Sequence, residues 1–128
     1  MFAPNYATIA SQTGVNASTW TGPTKTLSFA DASQFGSAGA VLLWKLTQTG
    51  GATSPTCTLY VDLSADGTNW YRQQPPGAST DATETVQGIQ TIDVLTRYAR
   101  VVLVLTGGTL PTIDVLAQIA SAQSITVS

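Results

Sequence analysis

Hydrophobic and polar residues alternate along most of this chain with a period of two. Thr56–Ser64, TCTLYVDLS, is the cleanest case. It puts Cys57, Leu59, Val61 and Leu63 on one face and Thr58, Tyr60, Asp62 and Ser64 on the other. That is the pattern of a half-buried strand. Ala40–Gln48, AVLLWKLTQ, sets Leu42, Trp44 and Leu46 against Val41, Leu43, Lys45 and Thr47. Thr112–Ala120 alternates with Ile113, Val115, Ala117 and Ile119 inward, whereas Tyr98–Thr106, YARVVLVLT, is apolar on both faces and reads as a central strand. Shorter extended pieces are predicted at TKTLSFA, at Asn69–Gln73, at Thr85–Val94 with an interruption at Gly88, and at the closing SITVS. No segment carries a sustained helical period between caps; residues 30–39 offer one turn of helix at most.

Residues 1–23 follow neither period. Pro4, Gly14, Gly22 and Pro23 punctuate them, yet Phe2, Tyr6, Ile9, Val15 and Trp20 are more apolar than a solvated tail requires. They read as an extended N-terminal arm that orders against a neighbouring surface, followed by one domain over 24–128. Seven or eight strands separated by Gly, Pro and Thr turns imply an all-β fold, an antiparallel β-sandwich of jelly-roll type.

One stretch imitates a functional loop. DLSADGTNWYRQ, Asp62–Gln73, begins like a calcium loop with Asp62, Ser64, Asp66 and Gly67. Its twelfth position is Gln73, where the calcium loop needs a bidentate carboxylate, and its flanks are strands where that loop needs helices. The hairpin reading accounts for more of it, because Asp-Gly between alternating runs is a strong turn signal. Two registers are open. A two-residue turn at Asp66-Gly67 puts Leu63 opposite Trp70. A three-residue loop puts Ser64 opposite Thr68, moves Trp70 to the Asp62 face and turns Tyr71 inward. In both, Gly67 takes a positive φ.

Charge changes the picture. Only 9% of the 128 residues are charged, the net charge is −2, and there is no histidine. A surface of small neutral polar groups desolvates cheaply, which suits a chain packed against other subunits. The five cations, Lys25, Lys45, Arg72, Arg97 and Arg100, form no run in the sequence, so a nucleic-acid partner is not expected. No stretch is long and apolar enough for a membrane helix, and the first twelve residues do not read as a secretory signal. The single cysteine, Cys57, lies in an apolar run and reads as a buried free thiol. Without histidine the usual nucleophilic triads are absent. The acids Asp31, Asp62, Asp66, Asp81, Glu84, Asp93 and Asp114 show no catalytic or metal-ligand spacing. No enzyme activity, metal or cofactor is expected.

The hairpin also carries a resemblance. Ser64, Asp66, Gly67 and Trp70 form S-x-D-G-x-x-W, and a second strand, RYARVVLVLTGG, follows with Tyr98, Ala99 and Arg100. This pairing, over roughly residues 38–120, resembles small β-sandwich structural proteins of tailed-bacteriophage particles; the hairpin motif also occurs in carbohydrate-binding sandwiches. The resemblance implies a virion module on the capsid surface. It would be a head decoration (cement) subunit bound to the major capsid protein lattice, or alternatively a tail, neck or baseplate component. A homo-oligomer, with a trimer expected, goes with that reading. The residues expected at its interfaces are Phe2, Tyr6, Ile9 and Trp20 of the arm, and Arg97 and Arg100 as intersubunit ion-pair partners. On this view, deleting residues 1–22 would leave a folded sandwich that no longer binds the lattice. A carbohydrate-binding module is the competing class. It would present Trp20, Trp44, Trp70 or Tyr71 as an exposed platform for a glycan.

Overall fold

The computed structural model describes residues 6–29, 40–50, 56–73, 78–79, 85–92, 96–106, 112–121 and 125–128. The described elements are β1 (Tyr6–Val15), β2 (Thr19–Thr21), β3 (Lys25–Phe29), β4 (Ala40–Gly50), β5 (Thr56–Ser64), β6 (Tyr71–Arg72), β7 (Ala78–Ser79), β8 (Thr85–Ile92), β9 (Tyr98–Thr106), β10 (Thr112–Ser121) and β11 (Ile125–Val127). One sheet has the order β1-β10-β4-β8 and the other β11-β3-β9-β5-β6. β2 pairs with β9 just along from β3, and β7 pairs with β5 just along from β6. The pairings are antiparallel. From β3 onward the chain passes from one sheet to the other at almost every connection, and its late strands β9 and β10 insert between early ones. This is a jelly-roll sandwich, the expected fold class.

The alternating strands bury the faces their patterns indicate. Leu42, Trp44 and Leu46 of β4 meet Ile113, Val115, Ala117 and Ile119 of β10 on the inner side of the first sheet. Cys57, Leu59 and Val61 of β5 join Ala99, Val101, Leu103 and Leu105 of β9 on the inner side of the second. Cys57 is a buried free thiol. β9 is central, as its unbroken apolar run requires. Its outward Val102 is also buried, opposite Thr21 on one side and Tyr60 on the other.

The N-terminal segment differs from expectation. Residues 6–15 are no arm; they form a ten-residue strand paired with β10. The period-two signal fails there because the register shifts twice, between Thr8 and Ala10 and between Gln12 and Val15. A bulge inserts a residue and changes the face of all that follow, so Ile9, Ala10 and Val15 all reach the core. Residues 19–21 add a short strand, and Trp20 packs partly buried against the core. Gly88 does not interrupt β8, which pairs continuously with β4 from Thr85 to Ile92. Its missing side chain makes room for Trp44. A Cβ at Gly88 would lie 2.6 Å from Cζ2 of that indole. Ala78 and Ser79, outside the strands predicted from the pattern, add β7 to the second sheet. Phe2 and the helical turn considered at 30–39 lie outside the described residues.

Candidate functional site

The Asp62–Gln73 stretch forms neither of the two hairpins expected. Leu63 stands opposite Tyr71 and Asp62 opposite Arg72, so the connection is longer than a two- or three-residue turn. Side chains cause the difference. Ser64 Oγ accepts the amides of Asp66 (3.3 Å) and Gly67 (2.8 Å) and donates to Asp66 Oδ1 (3.1 Å). Asp66 Oδ1 accepts the amides of Thr68 and Asn69, both at 2.9 Å, and Oδ2 accepts Asn69 Nδ2 at 2.8 Å. The chain therefore wraps around the Asp66 carboxylate before it can reverse. Gly67 takes φ +79°, as expected. The amides of Asn69 and Thr68, and then the Asn69 side chain, hold the Asp66 carboxyl well below the usual carboxylate range. This carboxylate is the hub of a turn, and its oxygens are occupied by it.

Asp62 has a different setting. It is only 3% exposed although it points away from the core. Arg72 of β6 donates to it from Nε (2.9 Å) and Nη2 (3.3 Å). From β9 on the other side, Arg100 Nε comes to 3.5 Å of Oδ2, an ion-pair contact without hydrogen-bond geometry. Each guanidinium also covers an aromatic face: Arg72 lies 4.5 Å from the Tyr60 ring centroid and Arg100 lies 4.1 Å from that of Trp70. The result is a continuous stack, Tyr60, Arg72, Asp62, Arg100, Trp70, across the outer face of the second sheet. Its hydrogen bond to Asp62 raises the Arg72 pKa further. The S-x-D-G-x-x-W motif thus delivers its tryptophan as a platform for a cation of its own chain.

Several interface expectations change accordingly. Arg100 is engaged within its own chain by Asp62 and Trp70, so the intersubunit ion pair proposed for it is replaced by an internal one. Arg97 is exposed at the start of β9, where its carbonyl accepts the Leu27 amide. Asp114 accepts the Gly14 amide at 3.0 Å. Ile9 is wholly buried in its own core and is not an interface residue. Tyr6 remains exposed. Among the aromatic residues considered for glycan stacking, Trp44 is 5% exposed, Trp20 lies against the core and Trp70 is capped by Arg100. Tyr71, expected inward in one register, is 72% exposed.

Sequence reasoning missed the outer face of the first sheet. Leu43 stands beside Ile89 of β8 and Gln118 of β10, and Lys45 stands beside Gln87 and Leu116. Between these two rows runs an open concavity of about 450 Å³, lined also by the Trp44 and Gly88 positions. Ile89 is 68% exposed and Leu116 38%. The available signal was the second face of AVLLWKLTQ, where Val41 and Leu43 are as apolar as the residues that enter the core.

No model of a protein family matches the chain, and no curated protein does. Solved structures do. The PBSX exported protein XepA aligns over 92% of this chain and 37% of its own, at 13% identity and TM-score 0.51. A chain in the structure of infectious bursal disease virus, Gx strain, aligns over 89% of this chain and 31% of its own, at 9% identity and TM-score 0.58. The shared element is the β-sandwich fold. This chain thus spans about a third of the length of each of these relatives. A family 29 carbohydrate-binding module aligns over 91% of both chains at 13% identity and TM-score 0.45.

Proposed function

We infer that this chain is a structural protein of a bacteriophage virion, a capsid decoration (cement) subunit that binds and stabilises the head lattice. The observation that carries the reading is the outer face of the first sheet. Leu43, Ile89 and Leu116 line a concavity in which Lys45 is the one charged side chain among the described residues. Covering an exposed aliphatic side chain of this kind contributes about 1–2 kcal/mol each. Few charged groups need desolvation there, so contact with a lattice keeps most of that gain. The fold likeness to a chain of a virus particle supports the same reading. So does the S-x-D-G-x-x-W hairpin. The mechanism is mechanical: a subunit that spans neighbouring capsid proteins adds buried area that must be lost before the shell opens. The protein acts by binding, as a homo-oligomer, and not by catalysis.

Co-sedimentation with empty heads of the phage that encodes it tests the proposal. The wild-type chain is expected to pellet with heads. Leu116→Glu places a carboxylate opposite Lys45, so it keeps the fold while making the face polar, and it is expected to lose binding. Wild-type binding to isolated tails and not to heads would move the protein to the tail or neck. Binding to neither, or full binding by Leu116→Glu, would overturn the reading. A Tyr71 fluorescence response to added glycans would favour the carbohydrate-binding class instead.

A further inference from the structure

Among the described residues, β1 and β8 are the two edges of the first sheet, and they are built differently. β1 has two register shifts, and its Gly14 adopts φ +70° with its amide donated to Asp114. Bulges of this kind disturb the ladder and discourage further pairing. β8 has none. It pairs with β4 through eight consecutive positions, Thr85 to Ile92, without a shift. Its sequence, TVQGIQTI, has no charge and no proline. An eight-residue strand presents about 27 Å of regular edge. Natural sheets blunt such edges with charges, prolines, bulges or short length, and β8 uses none of these. An apolar side chain, Ile89, stands exposed at its middle.

We propose that β8 is a self-association edge, at which two copies of the chain pair antiparallel across a two-fold axis perpendicular to the sheet. The two four-stranded sheets then become one continuous sheet of eight. The absence of charge favours a second copy over a foreign strand. A two-fold axis sets residues near it against their own kind, so any charge close to the axis would meet its like. A strand without charge escapes that repulsion. The outward residues fix the register. Centred on Ile89, the pairing sets Ile89 against Ile89 of the second copy and Gln87 against Thr91 of the second copy. A slip of two residues would oppose Ile89 to Gln87 in one direction and to Thr91 in the other, so either way it loses the apolar pair. The dimer also doubles the apolar outer face, because the Leu43 and Ile89 rows of the two copies become contiguous. The pairing does not depend on the lattice reading, and its test uses no lattice.

The test is solution mass by light scattering over a wide concentration range. The wild-type chain is expected to be a dimer, in place of the trimer expected from sequence. Gln87 and Thr91 are exposed, so substitutions there leave the core alone. Gln87→Lys with Thr91→Lys sets lysine against lysine twice and is expected to raise the dissociation constant at least about tenfold. Gln87→Lys with Thr91→Glu sets each lysine against a glutamate of the second copy and is expected to keep the dimer. Circular dichroism checks that both variants fold. A wild-type monomer at every concentration, a trimer, or a dimer indifferent to the double-lysine change would each overturn the proposal.

Discussion

Removing the carboxylate of Asp62 tests the stack on the second sheet. In Asp62→Ala, Arg72 loses its bonds at 2.9 and 3.3 Å and Arg100 loses its counter-ion at 3.5 Å. The two arginines respond differently. The Arg72 side chain is 46% exposed, so water replaces most of what it loses, and its share is about 1 kcal/mol or less. The Arg100 side chain is 27% exposed and its Nε is buried. Fully buried pairs cost about 3–5 kcal/mol when one partner goes. Partial exposure and the Trp70 face beneath it reduce this share to about 1–2 kcal/mol. The sum is about 1–3 kcal/mol. For a chain of this length that lowers the melting temperature by about 4–11 °C.

Urea unfolding of Asp62→Ala, Arg100→Met and the double variant measures it. The double-mutant cycle isolates the pair, and a coupling of about 1–2 kcal/mol is expected. Because the carboxylate is buried, raising salt to about 0.5 M should leave the coupling nearly unchanged, where a surface pair would be screened. A loss below about 1 kcal/mol, or a coupling near zero, would mean that Asp62 is hydrated and that the stack is not a structural unit.

Four further outcomes are expected. Gly88→Ala should destabilise by about 1–2 kcal/mol net, because overpacking against the buried indole outweighs the gain from a stiffer unfolded chain; Trp44→Phe should relieve it, as read by urea midpoints. Gly67→Ala should cost about 1–2 kcal/mol in the same assay through its positive φ alone, since the added methyl would sit at an ordinary 3.7 Å from the Tyr98 ring. The Asp66 pKa is depressed in the folded chain. Its contribution is therefore complete above the unfolded carboxylate value of about 3.9 and is lost as pH falls below it; Asp66→Asn should flatten the acid limb of a stability–pH curve. Deleting residues 1–22 should unfold the chain, as read by circular dichroism, because it removes Ile9, Ala10 and Val15 from the core and strips β10 of its neighbour.

That last outcome reverses what the sequence implies for its first residues, and the reason is local. Periodicity reports a strand only while the register holds. β4, β5, β9 and β10 have long regular pairings, and their inward residues were legible one by one. β1 has two shifts in ten residues; Ile9 and Ala10 enter the core as neighbours, which no period-two pattern allows. The hairpin failed for a related reason. Asp-Gly announces a tight reversal when backbone torsions alone decide the turn. Here side chains decide it: Ser64 and Asp66 collect five hydrogen bonds from the loop between them, and the register moves to suit. Gly67 was legible because its torsion is needed in any of these turns.

The two outer faces divide the remaining work. On the second sheet, polar and aromatic groups satisfy one another: Asp62 takes two arginines, and each arginine takes a ring. These contacts join residues 10 to 38 apart in sequence, so composition showed the charges but not their pairing. On the first sheet the apolar side chains at Leu43, Ile89 and Leu116 surround a concavity instead of filling it. Alternation marks one face of a strand for the core, and it is silent about a second apolar face unless that face is read in its own right. In a chain with so few charges, an apolar outer face is not a by-product of general hydrophobicity. The opposite sheet shows that this sequence can engage the charges and rings of an outer face with one another.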